Sequence, residues 1–173
     1  MKLTKRGEYA LRALIDLGIA EQSGQPIVRI RDLAEKQNIP VKFLEAILID
    51  LKEAGFLESK RGKVGGYRLA KPADTISIGD VVRKIEGPLA PIGCVSQSSY
   101  ERCSCPDEAH CGLRMVMLEV RNAIARVLDS HTLEQTVSAT IRRMREDSVP
   151  VPFEAILSGV VPQVPGRRRK GAA

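Results

Sequence analysis

Cys94, Cys103, Cys105 and Cys111 fall within 18 consecutive residues, and the other 155 residues contain no cysteine. Thiolates gathered in this way can bind a soft metal, hold an iron–sulfur cluster or form a redox pair, whereas single thiols scattered through a core do none of these. Residue types alone leave open a cluster, a structural zinc site and a metal-free thiol–disulfide switch. The paired CxxC spacings of many zinc sites are missing, which weighs against zinc. Catalysis is not expected. His110 and His131 have no evident nucleophile partner, and Cys103-Ser104-Cys105 is one residue short of the CxxC of a thiol oxidoreductase.

The elements that must position these thiols are mostly helical. With 43% hydrophobic residues but only three Phe, three Tyr and no Trp, the core must be built from Leu, Ile, Val and Ala, which suits packed helices. The formal charge is +6, and it is uneven. Residues 1–75 carry 14 basic and 10 acidic groups, residues 76–141 carry 6 and 8, and residues 142–173 carry 7 and 3. A basic balance favours a polyanionic partner only when a motif stands beside it. The opening residues lead into an amphipathic pattern rather than a signal peptide, and no apolar run approaches the roughly 20 residues of a membrane span. A soluble cytoplasmic protein is expected, in whose reducing surroundings clustered cysteines are metal ligands or redox sensors rather than disulfides.

Helical spacing of Leu11, Leu14, Ile15 and Gly18 predicts a first helix over 9–20 with those residues inward. A second helix is predicted over 30–37 and a third over 41–54, the latter burying Leu44, Ile47, Leu48 and Leu51 and opening at Pro40. Two helices joined by a tight turn form a helix-turn-helix. The segments 56–61 and 67–69, joined by Gly62-Lys63-Val64-Gly65-Gly66, read as a hairpin with a glycine-rich tip, a wing. Further helices are predicted over 77–85, 113–128 and 133–145, with Thr132 capping the last. The helix over 113–128 carries Leu113, Val116, Met117, Val120, Ile124, Val127 and Leu128 at helical spacing and is read as an arm that packs on a partner subunit. The chain therefore divides into a winged helix-turn-helix at 1–75, a connecting helix and linker at 76–92, and a cysteine-bearing loop at 93–112. A dimerisation helix and C-terminal helix follow at 113–147, then a disordered basic tail at 148–173.

A recognition helix offers its exposed early residues to base edges in the major groove, and a wing tip sets a basic side chain in the adjacent minor groove. Lys42 could meet guanine or phosphate, Glu45 a cytosine amine and Ala46 a thymine methyl. Arg61 and Lys63 supply charge at the wing.

The run from Phe43 to Leu48, then Gly55-Phe56-Leu57, then Arg61 to Tyr67, followed by cysteines and a long helix, resembles the Rrf-two family of bacterial transcription regulators. The resemblance spans about residues 1–145, including the opening Met1-Lys2-Leu3-Thr4 and Glu8-Tyr9-Ala10-Leu11. It implies a mainly α fold with a small β wing, a winged helix-turn-helix plus a long dimerisation helix. It further implies a homodimer on a double-stranded, partly palindromic DNA operator. Base readout would fall to Glu45 with Pro40, Lys42, Phe43 and Ala46, and Arg61 would enter the minor groove.

By the same resemblance, Cys94, Cys105 and Cys111 would hold a 2Fe–2S or 4Fe–4S cluster, because cluster-bearing members separate their last two cysteines by five residues. Cys103 is then surplus, a substitute for Cys105, a fourth thiolate or a free thiol. Where such clusters take a fourth ligand from the first helix of the partner subunit, Glu8 stands at that position; where a histidine follows the last cysteine, this chain has Arg114, and His110 is the nearby alternative. The resulting order is a cluster first, a thiol–disulfide switch next and zinc last. A protein of another class, a cluster-carrying or zinc-stabilised interaction module, would show no salt-sensitive DNA affinity.

Overall fold

The structure is a computed structural model and describes residues 2–62 and 65–154. The elements run α1 (Lys5–Gln22), α2 (Ile30–Gln37), α3 (Val41–Glu53), β1 (Leu57–Lys60), β2 (Gly66–Leu69), α4 (Ile78–Glu86), α5 (Gly112–Ser130) and α6 (Leu133–Glu146). Single 3-10 turns lie at Ala73–Thr75 and Gly93–Val95.

Helix α1 is the hub. Thr4 caps it by accepting from the Gly7 amide at 3.2 Å, and the Thr4 hydroxyl donates to Glu86 at 2.6 Å, tying the start of α1 to the end of α4. Its burial differs from the single stripe expected of it. Ala10, Ala13, Leu14, Leu17, Ile19 and Ala20 are buried, while Leu11 and Ile15 are only partly so, because α3, α4 and α6 pack around α1 rather than on one side. Asp16, which interrupts the apolar pattern, is itself buried and paired with Lys36, with the Gln37 amide donating to it at 2.5 Å.

The core joins α1 to Leu33 of α2, Leu44, Ile47, Leu48 and Leu51 of α3, Leu57 and Leu69 of the hairpin, Val81 of α4 and Leu133 and Val137 of α6. The α2–α3 turn passes through Asn38 in the left-handed region, φ 52°, before Pro40 opens α3. β1 and β2 are antiparallel with Leu57 opposite Leu69 and Lys60 opposite Gly66, and Val28 adds an isolated bridge to Tyr67.

Helix α6 belongs to this core rather than to the arm. A Cβ on Gly18 would come within 2.6 Å of Val137, so the two helices meet at a glycine. Thr132 and Gln135 form a reciprocal capping box. Helix α5 has no buried residue, and it contacts α4 through the bidentate pair of Arg83 with Asp129, 2.7 Å on each arm. The packed chain also runs past residue 147, where the tail was expected to start: Val151 and Phe153 are buried, Lys36 lies 5.0 Å from the Phe153 ring, and Arg145 pairs with Glu154 at 2.8 Å. The rest of that tail, with its basic run 167–170, lies outside the described residues.

Candidate nucleic-acid face and thiol centre

Two separate surfaces carry the residues singled out from sequence. On the first, burying Leu44, Ile47, Leu48 and Leu51 in the core turns the opposite side of α3 outward. Pro40, Val41, Lys42, Phe43, Glu45 and Ala46 are all exposed there, an unusual run of apolar and charged side chains at the start of a helix. Phe43 is held edge-on to Tyr9 of α1, with ring centroids 5.8 Å apart. Arg61 is exposed where β1 ends, and Lys63 lies outside the described residues. Tyr67 of β2 has its phenol pushed up by burial and then by the nearby Glu45 carboxylate, so the wing and the reading face of α3 adjoin.

Behind this face, Arg12 of α1 donates to the Gln37 side chain at 2.7 Å and to the Gln37 carbonyl at 2.9 Å. Arg12 also pairs with Glu8 at 3.2 Å, and Glu8 pairs with Lys5 at 2.7 Å. Those cations hold the Glu8 carboxyl below its ordinary range, the Lys5 hydrogen bond contributing most. Glu8 is therefore engaged along its own helix.

The second surface is the loop from the Gly93–Val95 turn to α5. All four cysteines are free thiols, Cys94 buried and the others part-exposed. Cys105 and Cys111 bring their sulfurs to 4.0 Å, and Cys103 interacts with both Cys94 and Cys105. Cys103 is thus the middle of the group rather than surplus to it. The thiols run as a chain from 94 through 103 and 105 to 111, each beside the next. Among the described residues no three His, Cys, Asp or Glu side chains form a ready site for one metal ion.

Crowding keeps these thiols protonated. Cys105 is pushed up to about 12, by its contact with Cys103 first and Cys111 next, and Cys94 is raised by burial and then by Cys103.

Glu108, which no spacing in the sequence marks, organises the loop. Its carboxylate accepts from the Tyr100 hydroxyl at 2.8 and 2.9 Å, lies 3.8 Å from the Cys103 sulfur and pairs with Arg114 of α5 at 3.2 Å. His110 is engaged by Asp107 at 2.7 Å. Cys111 is the N-cap of α5, so the last thiol is continuous with that helix.

Comparison with known proteins places these surfaces in context. A family model described as Rrf2, iron-dependent transcriptional regulator, matches residues 3–139. The rrf2-like HTH-type transcriptional regulator of Rhodobacter capsulatus is 41% identical over 139 residues, covering 79% of this chain and 93% of that protein. The structure of CymR, the global cysteine regulator of B. subtilis, superposes with a TM-score of 0.66 at 32% identity, covering 80% of this chain and 98% of that one. The structure of T. potens IscR gives a TM-score of 0.62 at 27% identity, covering 81% and 88%.

Proposed function

Because the chain belongs to the Rrf2 family of transcriptional regulators, which are not enzymes, we propose that it is a cytoplasmic, homodimeric regulator whose affinity for a double-stranded operator is set by an iron–sulfur cluster on its clustered cysteines. The observation that carries this reading is the continuity of thiols and helix: Cys111 caps α5, and α5 presents an apolar seam with nothing of its own chain covering it. Leu113, Val116, Val120 and Val127 are exposed at intervals of three, four and seven residues, the spacing of a helix that packs on a second helix. A second copy of the chain is the occupant the family suggests. No described helix is long and apolar enough to cross a membrane.

The donor set fits a cluster better than a single ion. Soft thiols suit iron–sulfur chemistry, and a cluster spreads its ligands over several iron atoms, so neighbours in a chain need not converge on one point. Cys94, Cys105 and Cys111 would hold it, with Cys103 as the fourth donor already among them. Glu8 of the partner subunit is the rival fourth ligand. When bound, the cluster supplies a centre whose oxidation state and occupancy respond to redox conditions and iron supply. The family description as iron-dependent agrees with that.

The residues of the chain then do the following. The loop fixes the start of α5, α5 sets the spacing of two winged domains, and each domain presents Glu45 and its neighbours to base edges and Arg61 to the minor groove. A metal-free thiol–disulfide switch is the second reading, favoured by the 4.0 Å approach of Cys105 and Cys111.

Anaerobic purification tests the proposal. Stoichiometric iron and sulfide with a visible spectrum, lost in Cys105→Ala, supports it. Colourless, metal-free protein that resists reconstitution would transfer the argument to the thiol switch.

A further inference from the structure

The wing and the start of α2 form a second basic surface beside the reading helix. Arg29 and Arg31 on one side and Lys60 and Arg61 on the other line an open groove of about 520 Å³, and all four are exposed. No described carboxylate lines it. The larger groove on the other side of the wing, about 770 Å³, mixes Arg68 and Lys71 with Glu21, Glu58, Asp74 and Glu134, so its charges offset one another. Positive charge is therefore segregated to the α2 side of the wing.

The walls of this groove are locked together. Val28 donates to the Tyr67 carbonyl at 3.0 Å and Tyr67 to the Val28 carbonyl at 2.9 Å. Gly66 lies so close to that strand that a Cβ would fall 2.3 Å from the Val28 carbonyl oxygen, and a Cβ on Gly65 would fall 2.3 Å from the Lys60 carbonyl oxygen. The glycines of the wing base thus let two cationic edges approach as one body. Tyr67 lines the groove and adjoins Glu45 of α3, which puts the groove next to the base-reading face.

We infer that this groove takes the sugar–phosphate strand of duplex DNA beside the wing, with Arg31 and Lys60 neutralising phosphates and carrying no base preference. The inference rests on the DNA-binding reading above and adds residues that reading does not contain. Exposed guanidinium and ammonium groups with no acidic counterpart suit a polyanion of regular charge spacing, and a strand passing the wing on its way from α3 supplies one. The wing would then enter the minor groove with its base already anchored, so that the position of Arg61 is set by phosphate contacts on both of its sides.

The test is the dependence of log Kd on log salt for the full chain, on a duplex selected from a random pool and on a scrambled one. Arg31→Ala and Lys60→Ala should each lower the slope by about 0.9 per subunit, and the double variant by about 1.8, equally on both duplexes. Arg31→Lys and Lys60→Arg should keep the wild-type slope, which separates charge from folding. Lys84→Ala, on the exposed side of α4, should also keep it. An unchanged slope in the double variant, or a loss confined to the selected duplex, overturns the inference while leaving DNA binding intact. Wild-type protein with no salt-dependent affinity for either duplex overturns the DNA-binding reading and this inference with it.

Discussion

Arg12 holds Gln37 twice, through the Gln37 side chain at 2.7 Å and its backbone carbonyl at 2.9 Å. Gln37 is the last residue of α2, immediately before the left-handed Asn38 that turns the chain into α3. The first helix therefore grips the helix-turn-helix at its hinge, and the same guanidinium reaches Glu8, the rival cluster ligand.

Arg12→Ala should consequently lower both stability and operator affinity. Two hydrogen bonds from a charged donor are lost, and an unfolding free-energy decrease of about 2 kcal/mol is expected from denaturant titration. Arg12→Lys, which cannot reproduce the fork, should recover little of it.

A change in the base face should be separable from a change in the wing. Glu45→Ala should relax base preference in a selection from random duplexes more than it lowers affinity, whereas Arg61→Ala should weaken all sequences and reduce salt dependence. Uniform loss in both variants would remove Glu45 as a reader.

The seam on α5 should respond to charge. Val120→Glu places a carboxylate in the middle of the exposed row of Leu113, Val116, Val120 and Val127. Sedimentation should show the variant as a monomer with helix content preserved, since Val120 packs on nothing in its own chain that would unfold.

The joint between α4 and α5 should depend on pH. The hydrogen bonds from Arg83 hold the Asp129 carboxyl below its ordinary range. A depressed carboxylate stabilises the fold above its unfolded pKa of about 3.9 and loses that contribution as pH falls through the lower folded value. Asp129→Asn should thus be less stable than wild type at pH 7, by about 0.5 kcal/mol for so exposed a pair, and the difference should disappear towards pH 2–3. Thermal denaturation of both proteins across that range measures it.

Much of this architecture was legible from local pattern. The 3.6-residue spacing in α3, the Asn38-Ile39-Pro40 turn and the Thr132 cap each have a local cause, and each element stands where that cause puts it. The wing was legible for the same reason, because glycines bracket two short extended runs.

What local pattern could not carry was which faces meet. The row read along α5 as one stripe splits in two: Met117, Ile124 and Leu128 are partly buried against the chain's own domain, while Leu113, Val116, Val120 and Val127 face outward. Asp16 looked like an interruption of α1, but a partner 20 residues away makes its burial tolerable. Glu108 is invisible until Tyr100, Cys103 and Arg114 are brought around it. The family resemblance located Cys94, Cys105 and Cys111, whereas the central place of Cys103 emerges only from the folded loop.

The central claim is that cluster occupancy sets operator affinity. Fluorescence anisotropy at one fixed salt concentration, with a duplex selected by the protein, compares anaerobically purified cluster-bearing protein with the same protein after its iron is removed under reducing conditions. A change of about 5–150-fold, absent in Cys105→Ala, is the predicted result. Equal affinity of the two forms for the same duplex would contradict the account, leaving a DNA-binding protein whose cysteines serve some other end.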